Sequence, residues 1–178
     1  MRIISGKFKG KRLIAPKTLP VRPTTDMAKE ALFNILNFQI DFQEIKLLDL
    51  FAGTGNISYE FISRGATQIT AVDQHYGCVK FINKTANKLE AEINTVKSDV
   101  FKYLDKVKTK SNLIFADPPY DFSTEDFQKI PQLVFENNLL EEEGLLIVEH
   151  SKHTDLSETA NFSESRRYGN SVFSFFKL

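Results

Sequence analysis

Asp117-Pro118-Pro119-Tyr120 has the residue types and spacing best suited to chemistry in this 178-residue chain. The stretch follows the apolar run Leu113-Ile114-Phe115-Ala116, which reads as a buried strand leading into a stiff loop. Open α/β sheets place their ligands at such strand ends. Two prolines fix φ and remove two backbone donors, so nearby carbonyls are left to accept hydrogen bonds beside an acid and an aromatic ring. That combination suits a planar exocyclic amine. The amine donates to Asp117 and to the Pro118 carbonyl while the face of its base stacks on Tyr120. Pro-Pro by itself is most often a turn; the acid before it, the aromatic after it and the strand leading in favour a functional loop.

A second constellation lies upstream. Asp49, Asp73 and Asp99 each fall at or just past the carboxyl end of an expected parallel strand, and Gly53 and Gly55 stand between the first strand and its helix. Such positions converge on one crevice. Glycines there let a ligand approach the backbone, and the helix terminus offers unpaired NH groups. A dinucleotide fingerprint would want a third Gly where Ser58 stands, which disfavours a nicotinamide cofactor, although Asp73 suits ribose hydroxyls in either case. Gly6-Lys7-Phe8-Lys9-Gly10-Lys11 has three residues between its glycines where a phosphate-gripping loop needs four, so an ATPase is rejected.

These residues require a scaffold of alternating strands and helices. Arg22-Pro23-Thr24-Thr25-Asp26 puts a proline and capping residues ahead of the helical pattern Met27, Ala31, Leu32, Ile35, Leu36, with Thr25 or Asp26 as N-cap. Strands are expected at Lys46–Leu50, Ile69–Asp73, Thr95–Lys97, Leu113–Ala116 and Gly144–Glu149, separated by helical patterns that include Ile57 to Ser63 and the set Phe127, Ile130, Leu133, Val134. That order predicts an α/β fold with a mostly parallel central sheet and helices on both faces. Residues 162–168 and 171–177 flank the turn pair Gly169-Asn170, so the last two strands should form an antiparallel pair at one edge. A composition of 42% hydrophobic residues with 16 Phe is enough for one compact core. No apolar run approaches the roughly 20 residues that span a bilayer, and the first residues lack the apolar middle of a signal peptide; a cytoplasmic protein is expected. The single cysteine, Cys78, reads as a core residue, and His75, His150 and His153 form no metal-ligand cluster, so no metal is expected.

Charge is segregated. Residues 1–25 carry seven Lys or Arg and no acid, whereas the other 153 residues carry 16 basic and 23 acidic side chains. Interleaved Ile3, Ile4, Phe8, Leu13 and Ile14 argue against a plain tail and allow a hairpin around Gly6 or Gly10. Residues 1–20 are accordingly read as a basic extension of a single domain over 21–178; Arg2, Lys7, Lys9, Lys11 and Arg12 suit nucleic acid if they share one face, and at this point a solvated basic segment fits the charge pattern equally well. Removal of residues 1–17 is expected to leave the fold intact.

Leu47-Leu48-Asp49-Leu50-Phe51-Ala52-Gly53-Thr54-Gly55 resembles the cofactor loop of class I S-adenosylmethionine-dependent methyltransferases, and Asp117-Pro118-Pro119-Tyr120 resembles their amino-methylating motif. The opening Met1–Gly10, Arg22–Asp26 and Lys29–Leu36 are similar to the bacterial 16S ribosomal RNA guanine-N2 methyltransferases of the small subunit, a likeness that runs nearly the whole length. The resemblance implies a seven-stranded sheet with a reversed final hairpin, a basic N-terminal β-hairpin that contacts RNA, and a guanine N2 amine in small-subunit RNA as methyl acceptor. It implies cofactor contacts from Arg22, Thr25, Asp49, Gly53 and Gly55, a ribose held by Asp73, and an adenine held by Asp99 and Val100 with Phe101 packing on its ring. Asp117, Pro118, Pro119 and Tyr120 become the catalytic loop, acting as a monomer on the small subunit or its assembly intermediate. Two alternatives stand: N6-adenine methylation of DNA, since the proline loop accepts any planar amine, and a non-catalytic RNA-binding assembly factor. The intact acid, prolines and tyrosine disfavour the second, and a single-domain length disfavours the first.

Overall fold

The computed structural model describes residues 1–20 and 24–178. Elements run in the order α1 (Asp26–Leu36), β1 (Lys46–Leu50), α2 (Asn56–Ser63), β2 (Gln68–Asp73), α3 (Tyr76–Lys88), β3 (Asn94–Lys97), α4 (Val100–Lys106), β4 (Ser111–Ala116), α5 (Thr124–Glu136), β5 (Leu140–Ser151), β6 (Phe162–Tyr168) and β7 (Ser171–Phe176). The seven strands form one sheet in the order β3-β2-β1-β4-β5-β7-β6. The first five are parallel, and β7 pairs antiparallel with both β5 and β6, so the expected reversed final hairpin closes one edge.

Side-chain alternation explains why these runs are strands. Leu47, Leu113, Phe115, Leu145 and Ile147 point to one face, where α1 and α2 cover them with Leu32, Phe33, Leu36, Ile57 and Phe61. Leu48, Leu50, Ile114, Ala116, Leu146 and Val148 point to the other, against Val100 and Leu104 of α4 and Phe127, Ile130 and Val134 of α5. Strands buried on both faces read as continuous apolar runs, which is why β1 and β4 were legible. The fifth strand starts earlier than the expected Gly144, because a register irregularity lets Leu140 pair with Ser111 before Leu145 pairs with Leu113. Its opening residues Glu142 and Glu143 are exposed and carry no apolar pattern to announce them.

The basic arm doubles back on itself through one antiparallel bridge between Arg2 and Arg12, with Ile3 N–H donating to the Lys11 carbonyl at 3.0 Å and Gly10 N–H to the Ile3 carbonyl at 2.8 Å. It is also fastened to the body. Ile3 is buried against Tyr59 and Leu89, and the Glu60 carboxylate accepts from Ile4 N–H at 2.9 Å and Ser5 N–H at 3.0 Å. Ser63 takes Lys7 N–H on its carbonyl at 2.6 Å and Phe8 N–H on its hydroxyl at 2.9 Å. A side chain at Gly6 would collide with the Ser63 carbonyl, and Gly6 sits at φ +81°, so only glycine lets the arm pass this close to α2.

A buried charge node completes the attachment. Lys29, in α1, places its ammonium 3.4 Å from Glu60, 2.7 Å from the Arg2 carbonyl and 2.8 Å from Asn56 Oδ1. Arg64 reaches the same carboxylate at 3.0 Å, and the side chains of Lys29 and Glu60 have no exposure at all. Buried ions survive only when paired and hydrogen-bonded, so the arm's own backbone is part of what keeps Glu60 tolerable. These contacts argue against the expectation that residues 1–17 can be removed without harm to the fold, since they supply two of the donors on a fully buried carboxylate.

Candidate active site

A cavity of about 810 Å³ opens over the carboxyl ends of β1, β2 and β4, at the point where the strand order reverses between β1 and β4. Parallel sheets diverge at such a point, and the loops leaving neighbouring strands part to form a crevice.

The β1–α2 loop makes the floor. Phe51 takes φ +56°, a conformation costly for an aromatic residue, and Gly53 follows at φ +53°. The loop is held in that shape by Asp73, whose carboxylate accepts from Gly53 N–H at 2.8 Å and from His75 N–H at 2.7 Å. Asp73 is thus a clamp between the loops after β1 and β2 as well as a polar group on the cavity wall. Asp49 lies deeper, 2% exposed, accepting the Ser58 hydroxyl at 2.6 Å. Burial pushes its carboxyl up to about 7; the Ser58 hydrogen bond pulls the other way, and the nearby charge of Asp73 adds to the rise. A carboxyl balanced between its two forms near neutral pH is suited to greet a cation, whose arrival ionises it.

Asp99 caps α4, accepting from Lys102 N–H at 3.0 Å, and Val100 is buried beside it on the same wall. Phe51 and Phe122 give this part of the cavity its flat apolar surfaces. Phe101 does not line it. Its ring stands behind them, 6.4 Å from Phe51 and 6.0 Å from Phe122 between centroids, so the rings on this part of the wall are those of Phe51 and Phe122, not the expected Phe101. Cys78 is buried at the edge, its thiol pushed up to about 11 by burial, and stays neutral at physiological pH.

The β4–α5 loop, Asp117 to Tyr120, closes the opposite end. Thr24 packs between two acids there: its hydroxyl is 2.8 Å from Glu149 Oε2 and 3.4 Å from Asp117 Oδ2, so the shorter contact holds the proton. Glu149, near the end of β5, is 1% exposed and also accepts the Tyr120 hydroxyl at 3.3 Å. That hydroxyl lies 3.1 Å from Ser171 Oγ as well, which fixes the tyrosine ring against the final hairpin. Burial raises the Tyr120 phenol above its ordinary value, and the neighbouring acids push the same way, so it remains protonated and able to donate. Tyr168, Gly169, Asn170 and Met27, the last 62% exposed, form the outer rim.

The structure brings together Thr25, Asp49, Gly53, Asp73, Asp99, Val100, Asp117, Pro118, Pro119 and Tyr120 on one cavity surface. Arg22 lies outside the described residues. Gly55 is not on the cavity wall: at φ +79° it is the left-handed N-cap of α2, and a side chain there would strike the Tyr59 ring, so its glycine is required by packing. The arm cations Arg2, Lys7, Lys9, Lys11 and Arg12 are exposed and away from the cavity wall, with Arg2 3.4 Å from Asp26 and Lys7 and Lys11 over the Phe8 ring.

Sequence reasoning missed Thr24, Asn56, Phe122, Glu149 and Ser171. Asn56 receives the Lys29 ammonium and donates to the Thr24 carbonyl at 3.2 Å, which links the buried charge node to the cavity. Only Glu149 carried a signal: an acid at the end of Leu145-Leu146-Ile147-Val148 cannot sit in a buried strand without a polar task.

Residues 1–177 match the protein family described as conserved hypothetical protein 95. The ribosomal RNA small subunit methyltransferase D of Escherichia coli K12 is 32% identical over 168 residues, covering 93% of this chain and 83% of that protein. Its namesake in Haemophilus influenzae is 34% identical over 176 residues, covering 92% of this chain and 85% of that one. Among solved structures, the Escherichia coli protein yhhF superposes with a TM-score of 0.85 at 29% identity, over 99% of this chain and 96% of that chain.

Proposed function

Because this chain belongs to the family described as conserved hypothetical protein 95, we propose that it methylates the exocyclic N2 amine of a guanine in the RNA of the small ribosomal subunit. It is an S-adenosylmethionine-dependent methyltransferase of the class I fold. The observation that carries the finer reading is the meeting of two unlike ends in one cavity: acids at or just past the carboxyl ends of β1, β2 and β3 at one end, and the Asp117–Tyr120 loop at the other.

The donor set fits S-adenosylmethionine. Asp49 is a buried acid suited to the positive methionine end, Asp73 is a carboxylate on the cavity wall suited to ribose hydroxyls, and Asp99 with the backbone of Val100 suits the adenine edge. Gly53 keeps the floor free of a side chain, and Phe51 and Phe122, packed edge to face with centroids 5.6 Å apart, give the wall an apolar patch. When bound, S-adenosylmethionine supplies a methyl group made electrophilic by a positive sulfur. Everything else is the work of the protein.

The amine of guanine is a weak nucleophile because its lone pair is delocalised into the ring. Asp117 and the Pro118 carbonyl accept its two N–H bonds, which turns the lone pair toward the methyl and stabilises positive charge growing on nitrogen. As the nitrogen–carbon bond forms, the carbon–sulfur bond breaks with its electron pair left on sulfur, and the Asp117 carboxylate stands in line to receive the proton that the methylated amine sheds. Tyr120 stacks on the base. Its ring is already oriented through Glu149 and Ser171, so little rotational freedom is lost when the base arrives. No covalent enzyme intermediate is required, in keeping with a neutral Cys78. Exposed cations of the arm grip the phosphate backbone.

Incubation of the protein with methyl-labelled S-adenosylmethionine and, separately, unmodified small-subunit RNA, assembled small subunits and duplex DNA tests this. Nucleoside digestion should release labelled N2-methylguanosine from one of the RNA substrates. Labelled N6-methyladenine from DNA would overturn it, and RNA binding without transfer would identify an assembly factor.

A further inference from the structure

Two acids, not one, stand at the base-binding end of the cavity. A single Thr24 hydroxyl reaches both, at 3.4 Å from Asp117 Oδ2 and 2.8 Å from Glu149 Oε2, so the carboxylates lie side by side on the same wall. Glu149 comes from β5 and Asp117 from the neighbouring β4. Glu149 is 1% exposed and is held on this wall by the Thr24 and Tyr120 hydroxyls. A carboxylate presents about four acceptor positions and can hold several donors at once.

Planar amines in nucleic acids differ in what lies beside the amine. In guanine the N2 amine is next to N1–H, so two donors face the same way. In adenine the N6 amine is next to the N1 lone pair, and in cytosine the N4 amine is next to the N3 lone pair. A wall with one carboxylate accepts all three. A wall with a second carboxylate beside the first rewards a second donor and repels a lone pair.

We propose that Glu149 is the specificity-determining residue of this site, accepting N1–H of the target guanine while Asp117 takes the adjacent amine. This rests on the reading of the cavity as a guanine-N2 methyltransferase site and adds how the enzyme tells guanine from other amino-bearing bases. Thr24 and the Tyr120 hydroxyl steady the carboxylate in that orientation through the contacts they already make. Adenine and cytosine stack equally well on Tyr120 but bring a lone pair against Glu149.

The test uses 2-aminopurine, which keeps the amine at position 2 but has a lone pair in place of N1–H. It is placed by splinted ligation at the guanine that nucleoside analysis identifies as methylated, and kcat/KM is measured for both RNAs. Wild-type enzyme should prefer guanine by about 10- to 100-fold, the worth of one hydrogen bond to a buried charge. Glu149→Gln can still meet Thr24 and Tyr120 but can turn its amide NH₂ toward a lone pair, so the preference should shrink to a few-fold or reverse. Loss of preference is a readout that mere loosening of the fold does not give, since that lowers both rates together. Glu149→Asp, which withdraws the carboxylate by one methylene, serves if the Gln variant does not fold, and should narrow the preference mainly through a slower guanine reaction. Equal wild-type rates on the two RNAs, or a preference unchanged in whichever variant folds, would overturn the assignment of Glu149. Failure to methylate guanine at all would instead overturn the proposed function.

Discussion

Replacing Asp49 by Asn should stabilise the ligand-free protein while weakening its hold on S-adenosylmethionine, and both effects should follow pH. Burial, reinforced by the charge of Asp73 and opposed by the Ser58 hydroxyl, lifts the Asp49 carboxyl from an ordinary 3.8 to about 7. An acid whose pKa is higher in the folded than in the unfolded chain favours the fold in its protonated form. That contribution is complete below about pH 4 and has been lost once pH rises through about 7. A rise of about three units at 1.36 kcal/mol each corresponds to on the order of 4 kcal/mol missing at pH 8. Asn keeps an acceptor for Ser58 without the charge, so Asp49→Asn should recover part of this. At roughly 2–4 °C per kcal/mol for a chain of this size, its melting temperature should exceed that of wild type by up to about 10 °C at pH 8, with the gap closing toward pH 4. Cofactor binding should move oppositely. If the positive cofactor needs ionised Asp49, wild-type affinity should fall up to about tenfold for each unit below pH 7 and level off above it, whereas the Asn variant should be weaker and flat. Titration calorimetry from about pH 5.5 to about pH 8.5, in two buffers of different ionisation enthalpy, also counts the proton released. A wild-type affinity as flat as the variant's, with no proton released, would refute the link between this carboxyl and the cofactor.

Asp117→Ala should keep cofactor affinity but lose about 10²-fold or more in turnover, as expected for removal of one preorganised acceptor, and single-turnover methylation assays would show it. Lys29→Met leaves the fully buried Glu60 without its ammonium partner, so unfolding in urea should show a loss of about 3–5 kcal/mol. Deleting residues 1–17 should destabilise the protein markedly, with a lower urea midpoint and a weaker cofactor site, because Ile3 leaves the core and Glu60 loses two backbone donors. The arm's part in RNA binding is better read from Lys7→Gln, Lys9→Gln and Lys11→Gln together. Each lost phosphate contact should flatten the slope of log affinity against log salt by roughly 0.7–0.9, with the melting temperature nearly unchanged.

Strand positions and the strand-end acids were legible because buried parallel strands announce themselves as apolar runs such as Leu113–Ala116, and the residue after such a run is where ligands meet the sheet. Asp49, Asp73, Asp99 and the Asp117–Tyr120 loop could be placed by counting from strand ends. Glu149 could not, because whether a strand-end acid meets Thr24 and Tyr120 or points away depends on contacts 125 and 29 residues distant in sequence. Lys29 and Glu60 were invisible for a related reason. Within a helix a charged residue signals solvent by default, and only the packed arrangement of arm, α1 and α2 shows that both are buried. Gly55 adds a second demand that the sequence did not show: its place in the loop suggested a ligand, and Tyr59 packs so closely behind the loop that a side chain there would strike its ring.

The fastening of the arm to Glu60 and Ser63 bears on how natural variation can act on this protein. A disordered basic tail can drift freely, since its changes alter affinity alone, and ordering such a tail on a partner commonly costs 2–5 kcal/mol at each encounter. Here the ordering cost is met once, when the chain folds. A side chain at Gly6 strikes Ser63, and a proline at Ile4 or Ser5 removes a donor from Glu60; through Lys29, Asn56 and Thr24 the disturbance reaches the wall that holds Asp117. Substitutions that disturb the arm's backbone contacts are therefore filtered first for folding, whereas the outward side chains Lys7, Lys9, Lys11 and Arg12 are exposed and can change charge with the fastening untouched.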